Sequence, residues 1–274
     1  MMKFVRDLAL MAALVGGISA TPAMAAVVYF GEDLGAGNAA SMPNSTAARD
    51  SFLSNLSSFG VEGLESVVTN DSGVGSTSTL NFGATGVTGT LSFETTVRSV
   101  PFNARFAAEG TKYLDTSFNR RITFSAPVQA FGLFVIDANE VDNNPTTATS
   151  GGSVLTAEQI DARPFDSIDG IFRILTERSP GVFELLFDGG TFPAQDSSAM
   201  FVGLIDAADP FRNIILINGT SGLDTAYQDG FGYDGLIVGT VPEPGTLALL
   251  ALGLAGFGAA ARKRSRMPTR TTAS

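Results

Sequence analysis

Between residues 67 and 239 the chain alternates short apolar runs with clusters of Gly, Ser, Thr, Asn and Asp. Apolar segments of this length, bounded by turn formers, predict strands. Thr79–Phe82 and Thr88–Phe93 read as two of them, parted by Gly and Thr. Arg121–Ser125 and Val128–Ile136 carry the strongest signal, with Pro127 between them as a bend or edge break. Gly170–Thr176 and Val182–Phe187 predict a hairpin, because Ser179-Pro180-Gly181-Val182 puts Pro and Gly where a type II turn requires them. Met200–Asp206, Ile214–Asn218 and Gly235–Gly239 complete the series, and Val27–Phe30 precedes it. Eight or more short strands at this spacing predict an all-β fold, a jelly-roll-like β-sandwich.

The pattern changes once. Ala48, Phe52, Leu53, Leu56 and Phe59 recur at helical spacing behind Asn44-Ser45-Thr46, whose side chains suit an N-cap. These residues predict one N-terminal helix of about three turns, closed by Gly60, whose apolar stripe packs on the core.

Both ends depart from this pattern. At the front, Lys3 and Arg6 precede an apolar stretch from Leu8 to Ile18, and Ala23-Met24-Ala25 offers the small-x-small site of a signal peptidase. Residues 1–25 are therefore expected to be a signal peptide, with Ala23 and Ala25 setting the cut and Ala26 the new N-terminus. Its apolar stretch is too short to span a hydrocarbon layer of about 30 Å. At the back, Val241-Pro242-Glu243-Pro244-Gly245 holds two prolines that forbid regular helix or central strand. Thr246–Ala261 is then uninterrupted by charge, an expected transmembrane helix of about 24 Å. Arg262, Lys263, Arg264 and Arg266 follow at once and orient it with the C-terminus in the cytoplasm. The expected organisation is a signal peptide (1–25), a β-sandwich (26–240), a sorting segment (241–266) and a cytoplasmic tail (267–274).

Charge narrows the partners. The formal net charge is −10, but seven basic residues lie in the two end segments. Between Ala26 and Val241 there are 10 basic and 25 acidic residues, so the domain itself is near −15. Nucleic acid is excluded as a partner, since binding it needs a basic footprint. Cys, His and Trp are absent. A thiol nucleophile, a Cys-ligated metal and a Ser-His-Asp triad are therefore impossible. Carboxylates, hydroxyls and hard cations such as calcium are what the side chains can offer.

The tail resembles the PEP-CTERM sorting signal of Gram-negative bacteria. The matching parts are Pro242-Glu243-Pro244, the apolar run Thr246–Ala261 and the basic cluster Arg262–Arg266, in that order. The resemblance implies recognition by an exosortase, a membrane thiol transpeptidase-like enzyme, with cleavage near the tripeptide. It further implies an inner-membrane-anchored precursor, a final place at the cell surface or in the extracellular matrix, and a bacterium that makes exopolysaccharide. The interior is similar to exported domains that carry this tail, through Ala126–Gly132, Phe201–Asp206 and Gly230–Gly235. That similarity implies a jelly-roll sandwich related to carbohydrate-binding modules.

Two clusters could carry chemistry. Asp137, Asn139, Glu140 and Asp142 follow the strand Val128–Ile136 and could present several oxygens to calcium from one loop, although the spacing is not that of an EF-hand. The same residues also read as a solvated turn. Asp229, Tyr233 and Asp234 could bind a sugar by stacking and hydrogen bonding. Alternatively they form a tight turn with Phe231 and Tyr233 packed inward. A glycosidase would need two carboxylates about 5 or 6.5–9.5 Å apart, and no spacing among the acidic residues singles out a pair. The sequence therefore points to an exported, non-catalytic envelope or matrix protein, binding exopolysaccharide or calcium. The alternative is a carbohydrate-active hydrolase using two carboxylates.

Overall fold

The structure is a computed structural model that describes residues 26–138, 149–156, 172–189, 197–218 and 226–242. Two compact units are distinguished, 1–241 and 242–274. Of the second only Pro242 is described; Glu243, Pro244, Arg262, Lys263, Arg264 and Arg266 lie outside the described residues, as do Ala23 and Ala25. Among the described residues no helix is long and apolar enough to cross a membrane.

The first unit is mostly β, as the alternation predicts, with one α-helix among the described residues. The strands are β1 (Val27–Asp33), β2 (Ser58–Glu62), β3 (Val74–Asn81), β4 (Thr88–Arg98), β5 (Tyr113–Phe118), β6 (Arg120–Val128) and β7 (Ala130–Ile136). They continue with β8 (Thr149–Thr156), β9 (Phe172–Ser179), β10 (Val182–Gly189), β11 (Ala199–Ile205), β12 (Phe211–Asn218) and β13 (Ala226–Thr240). The helix α1 is Pro43–Ser54. All pairings are antiparallel, in the order β1-β11-β7-β13-β5-β4-β6-β12-β9-β10-β8, with β2 added to β13 and β3 to β4.

Ring contacts show how this path doubles over into two layers. Phe131 of β7 lies 5.9 Å from Phe124 of β6, and Tyr233 of β13 lies 6.0 Å from Phe172 of β9. At the far ends of the path, Phe30 of β1 meets Phe187 of β10 at 5.4 Å. The sheet is thus nearly closed around one core.

Strands β7 and β11 are buried on both faces. Phe131, Leu133 and Val135 face the main core, while Ala130, Phe134 and Ile136 face a second cluster beneath α1. The key to that second cluster is a cross-strand glycine pair, Gly132 opposite Gly203. A Cβ at Gly203 would stand 2.6 Å from the Phe52 ring, and one at Gly132 would stand 3.0 Å away. The two glycines form the slot that admits Phe52, which is fully buried. Burying that ring contributes about 2–3 kcal/mol.

Three local expectations change. The helix stops at Ser54, and Phe59 and Gly60 belong to β2. There the strand passes so close to Phe82 that only glycine fits at 60, since a Cβ would lie 1.7 Å from the Phe82 carbonyl oxygen. The N-cap is Met42, which makes no side-chain cap bond. Asp33, from β1, takes that role by accepting the Asn44 and Ser45 N–H groups at 3.0 and 2.8 Å. Pro127 lies inside β6, and the chain turns into β7 at Gln129. The β9–β10 hairpin agrees with its turn chemistry: Gly181 has φ +74° and donates its N–H to Glu177 Oε1 at 2.8 Å.

Candidate functional site

One end of the first layer, made by β1, β11, β7, β13 and β5, carries Asp137 and Asp234 together with several polar groups that sequence spacing did not single out. A row of paired residues, Asp33–Ala199–Ile136–Gly232–Asp115–Thr96, crosses the sheet there. Above it, the segment joining β4 to β5 folds into a tight turn. Phe102 and Arg105 exchange both backbone hydrogen bonds at 3.0 Å. The two residues between them, Asn103 and Ala104, have φ +45° and +65°. This is the twist of a primed hairpin turn, which glycine or Asn normally supplies and Ala resists.

The turn directs Arg105 inward and leaves Phe102 40% exposed. Arg105 Nε lies 3.0 Å from Asp115 Oδ1, and its Nη1 lies 3.9 Å from Asp137 Oδ2. Arg98 pairs with the other Asp115 oxygen, and its guanidinium stands 3.7 Å from the centre of the Phe102 ring. Gly230 clears the space for Arg105, since a Cβ there would lie 2.1 Å from Arg105 Nη1. Two cations, two carboxylates and an exposed ring are thus fixed as one assembly. Removing one member of such a buried ion network costs about 3–5 kcal/mol, because the remaining charge is left unpaired.

Beside the turn lies an open groove of about 250 Å³, walled by Val100, Pro101, Phe106 and Tyr113, with Asn38 and Ser99 at its margin. Burial, reinforced by the neighbouring Asp115 carboxylate, pushes the Tyr113 phenol up to about 12. It is therefore a neutral group that donates weakly to the Val100 carbonyl at 3.3 Å.

The predicted site residues sit as follows. Asp137 directly follows β7, at 1% exposure with φ +64°; its Oδ1 accepts the Ser197 N–H at 2.8 Å and its own N–H donates to Ser198 O at 2.7 Å. Asn139, Glu140 and Asp142 lie outside the described residues, as does the side chain of Asp229. Among the described residues no group of three or more acidic side chains is placed to hold a metal ion. Tyr233 is 1% exposed and faces the core with Phe231. Asp234 is wholly buried and accepts the N–H groups of Glu109 at 2.8 Å and Gly235 at 2.6 Å. Burial pushes its carboxyl well above the usual carboxylate range, against those N–H bonds.

Asp234 belongs to a wider pattern. Glu62 accepts the Leu64 and Asn81 N–H groups at 2.7 and 2.6 Å. Glu65 accepts those of Thr111 and Lys112 at 2.6 and 3.0 Å, and Asp206 those of Ala208 and Asp209 at 3.2 and 2.9 Å. With Asp33 and Glu177, much of the acidic surplus is spent on loop and helix-end donors that would otherwise be left unmade.

The residues that sequence spacing missed are Arg98, Phe102, Arg105, Tyr113 and Asp115. Pro101-Phe102-Asn103-Ala104 does carry turn formers, and that was the available signal. A model of the PEP-CTERM protein-sorting motif matches residues 240–264. No curated protein matches the chain.

Proposed function

We propose that this chain, an exported protein carrying the PEP-CTERM protein-sorting motif, is a non-catalytic envelope or matrix component whose β domain binds exopolysaccharide. The observation that carries this reading is the assembly of Phe102, Arg98 and the adjoining groove at one end of the sandwich. An exposed ring on a rigid turn offers a stacking surface to the C–H face of a sugar at little entropic cost. Asn38, Ser99 and Thr111 contribute an amide and hydroxyls to the lining of the groove. At about 250 Å³ the groove falls below the ~300–1,000 Å³ usual for ligand sites, which suits a single sugar unit or chain end better than a long glycan.

The employment of Asp33, Glu62, Glu65, Asp206 and Asp234 as backbone acceptors supports a non-catalytic role over a two-carboxylate hydrolase. A calcium ion on Asp137, Asn139, Glu140 and Asp142 is the weaker proposal. Asp137 already bonds to the Ser197 N–H and faces the Arg105 cation.

Glycan-array binding of the mature protein, with and without calcium, tests the reading. Retention of acidic or neutral exopolysaccharide, lost in Phe102→Ala, is the expected result. Turnover of dye-labelled polysaccharide by the protein would overturn it in favour of the hydrolase.

A further inference from the structure

At the opposite end of the first layer, five paired residues cross five adjacent strands: Phe59, Gly239, Ala130, Ile205 and Val27. This row contains both places where the domain joins the rest of the chain. Val27 is the first residue of β1, and Gly239 is the last but one of β13. With strands about 4.8 Å apart, the two lie about 14 Å from each other. Both end segments therefore leave the domain from one rim.

The connection on the C-terminal side is short. Only Val241 to Gly245 separate Thr240 from the apolar run that begins at Thr246. Five residues reach about 17 Å when fully extended. If that run is inserted in a bilayer, the rim is held within this distance of it. The assembly around Phe102 and Asp115 lies at the other end of β7, about 20 Å along the strand from this rim.

Directly paired residues of an antiparallel ladder point to the same face. The row thus sets five side-chain positions in line: buried Ala130 and Ile205 in the middle, Gly239 against Leu56, and an exposed apolar residue at each end. Phe59 is 41% exposed and Val27 is 42% exposed. The neighbouring Asp206 is 6% exposed and is neutralised by Arg178 at 2.6 Å, whereas Asp209 beyond it reaches solvent.

We infer that this rim is a lipid-docking surface, which holds the precursor against the bilayer with Phe59 and Val27 in the interface and the Phe102 end turned away. The inference rests on the membrane-anchored precursor of the sorting reading. A ring and an aliphatic side chain at the ends of a rigid row gain by leaving water for the headgroup boundary. A domain near −15 is repelled by anionic lipid, so a zwitterionic surface is the one that fits.

The absence of Trp makes the test direct. Full-length Phe59→Trp, Val27→Trp and Phe102→Trp proteins, each with a single indole, are reconstituted into phosphatidylcholine vesicles carrying lipid brominated near the headgroup. All three should float with the vesicles, which reports the anchor. The indoles at 59 and 27 should be blue-shifted and lose most of their emission, while that at 102 keeps its own. Failure to float would overturn the anchored precursor and the docking surface with it. Flotation with equal quenching at all three positions would overturn the docking surface alone.

Discussion

The Arg105 guanidinium fills the volume that a side chain at Gly230 would need, with Nη1 2.1 Å from where that Cβ would stand. The two residues belong to segments more than a hundred positions apart, and their fit lets Arg105 reach Asp115 and Asp137. Gly230→Ala should displace the guanidinium and cost about 1–3 kcal/mol of overpacking. The matched control is Gly63→Ala, where nothing stands within 4 Å. Urea unfolding of the two variants should show a lower midpoint for the first and an almost unchanged one for the second.

Ala104 offers the opposite case. Its φ of +65° costs an L-residue roughly 1–2 kcal/mol, which glycine avoids. Glycine loses more chain entropy on folding, so Ala104→Gly should leave a net gain of about 1 kcal/mol. A lower urea midpoint for Ala104→Gly would show that the turn relaxes in solution to negative φ.

The helix cap gives a third test. Asp33 serves α1 from a different element, so its removal unseats the helix end from β1 as well as leaving two N–H groups unmet. Asp33→Ala should cost about 1–2 kcal/mol. Amide exchange should accelerate at Asn44 and Ser45 above other positions in α1.

Acid and base should act on different carboxyls. The Gly181 N–H, with help from Arg121, holds Glu177 below the usual Glu range although burial opposes it. The unfolded chain therefore takes up that proton first as pH falls. The stabilisation from Glu177 is complete above the ordinary Glu value and is lost as pH drops through the folded one. Asp234 runs the other way, because burial raises its folded value. Its contribution is complete below the ordinary Asp value and declines as pH rises toward the folded one. Urea midpoints across the acidic range should flatten on the low-pH side in Glu177→Gln and on the high-pH side in Asp234→Asn. Slopes decide this, since Asn also loses one of the two acceptor oxygens used by Glu109 and Gly235.

Most strands were legible because β7, β11 and the β9–β10 hairpin combine apolar runs with turn chemistry that leaves few alternatives. Strand β2 was hidden by coincidence: Phe59 falls three residues after Leu56 and so extends the helical stripe across the helix end. Strand β5 is harder to read: Pro101 and Asn103 mark a turn before it, but Ala104 stands where that left-handed turn would favour glycine. The register shift between Asp234 and Ile237 explains why Tyr233 and Leu236 both face the core, which a period of two forbids. Asp137 and Tyr233 were noticed for their chemistry, but their neighbours Arg105, Ser197 and Phe172 come from distant segments. Spacing along the chain carries no trace of such contacts.

The sorting motif makes a prediction in which two parts of one segment fail differently. Strand β13 ends at Thr240, whose carbonyl accepts the Ser57 N–H at 2.8 Å, and Val241 donates to Gln129 Oε1 at 3.0 Å. The domain is thus hydrogen-bonded up to the residue before Pro242. We propose that the enzyme cuts beside Glu243, because proline at 242 and at 244 cannot continue a helix. The proposed role of Arg262, Lys263, Arg264 and Arg266 is in topology instead, because carrying them across the bilayer is costly. Replacing Pro242, Glu243 and Pro244 with Ala should leave insertion intact and block cleavage, giving a precursor of full mass in the membrane fraction. Replacing the basic cluster with Ser should disturb insertion, giving precursor of mixed orientation to added protease. The readouts are apparent mass, fractionation and protease protection in the native host. Normal processing and release of the triple-Ala protein would show that the enzyme reads the apolar and basic parts alone, and that Pro242-Glu243-Pro244 is only a spacer.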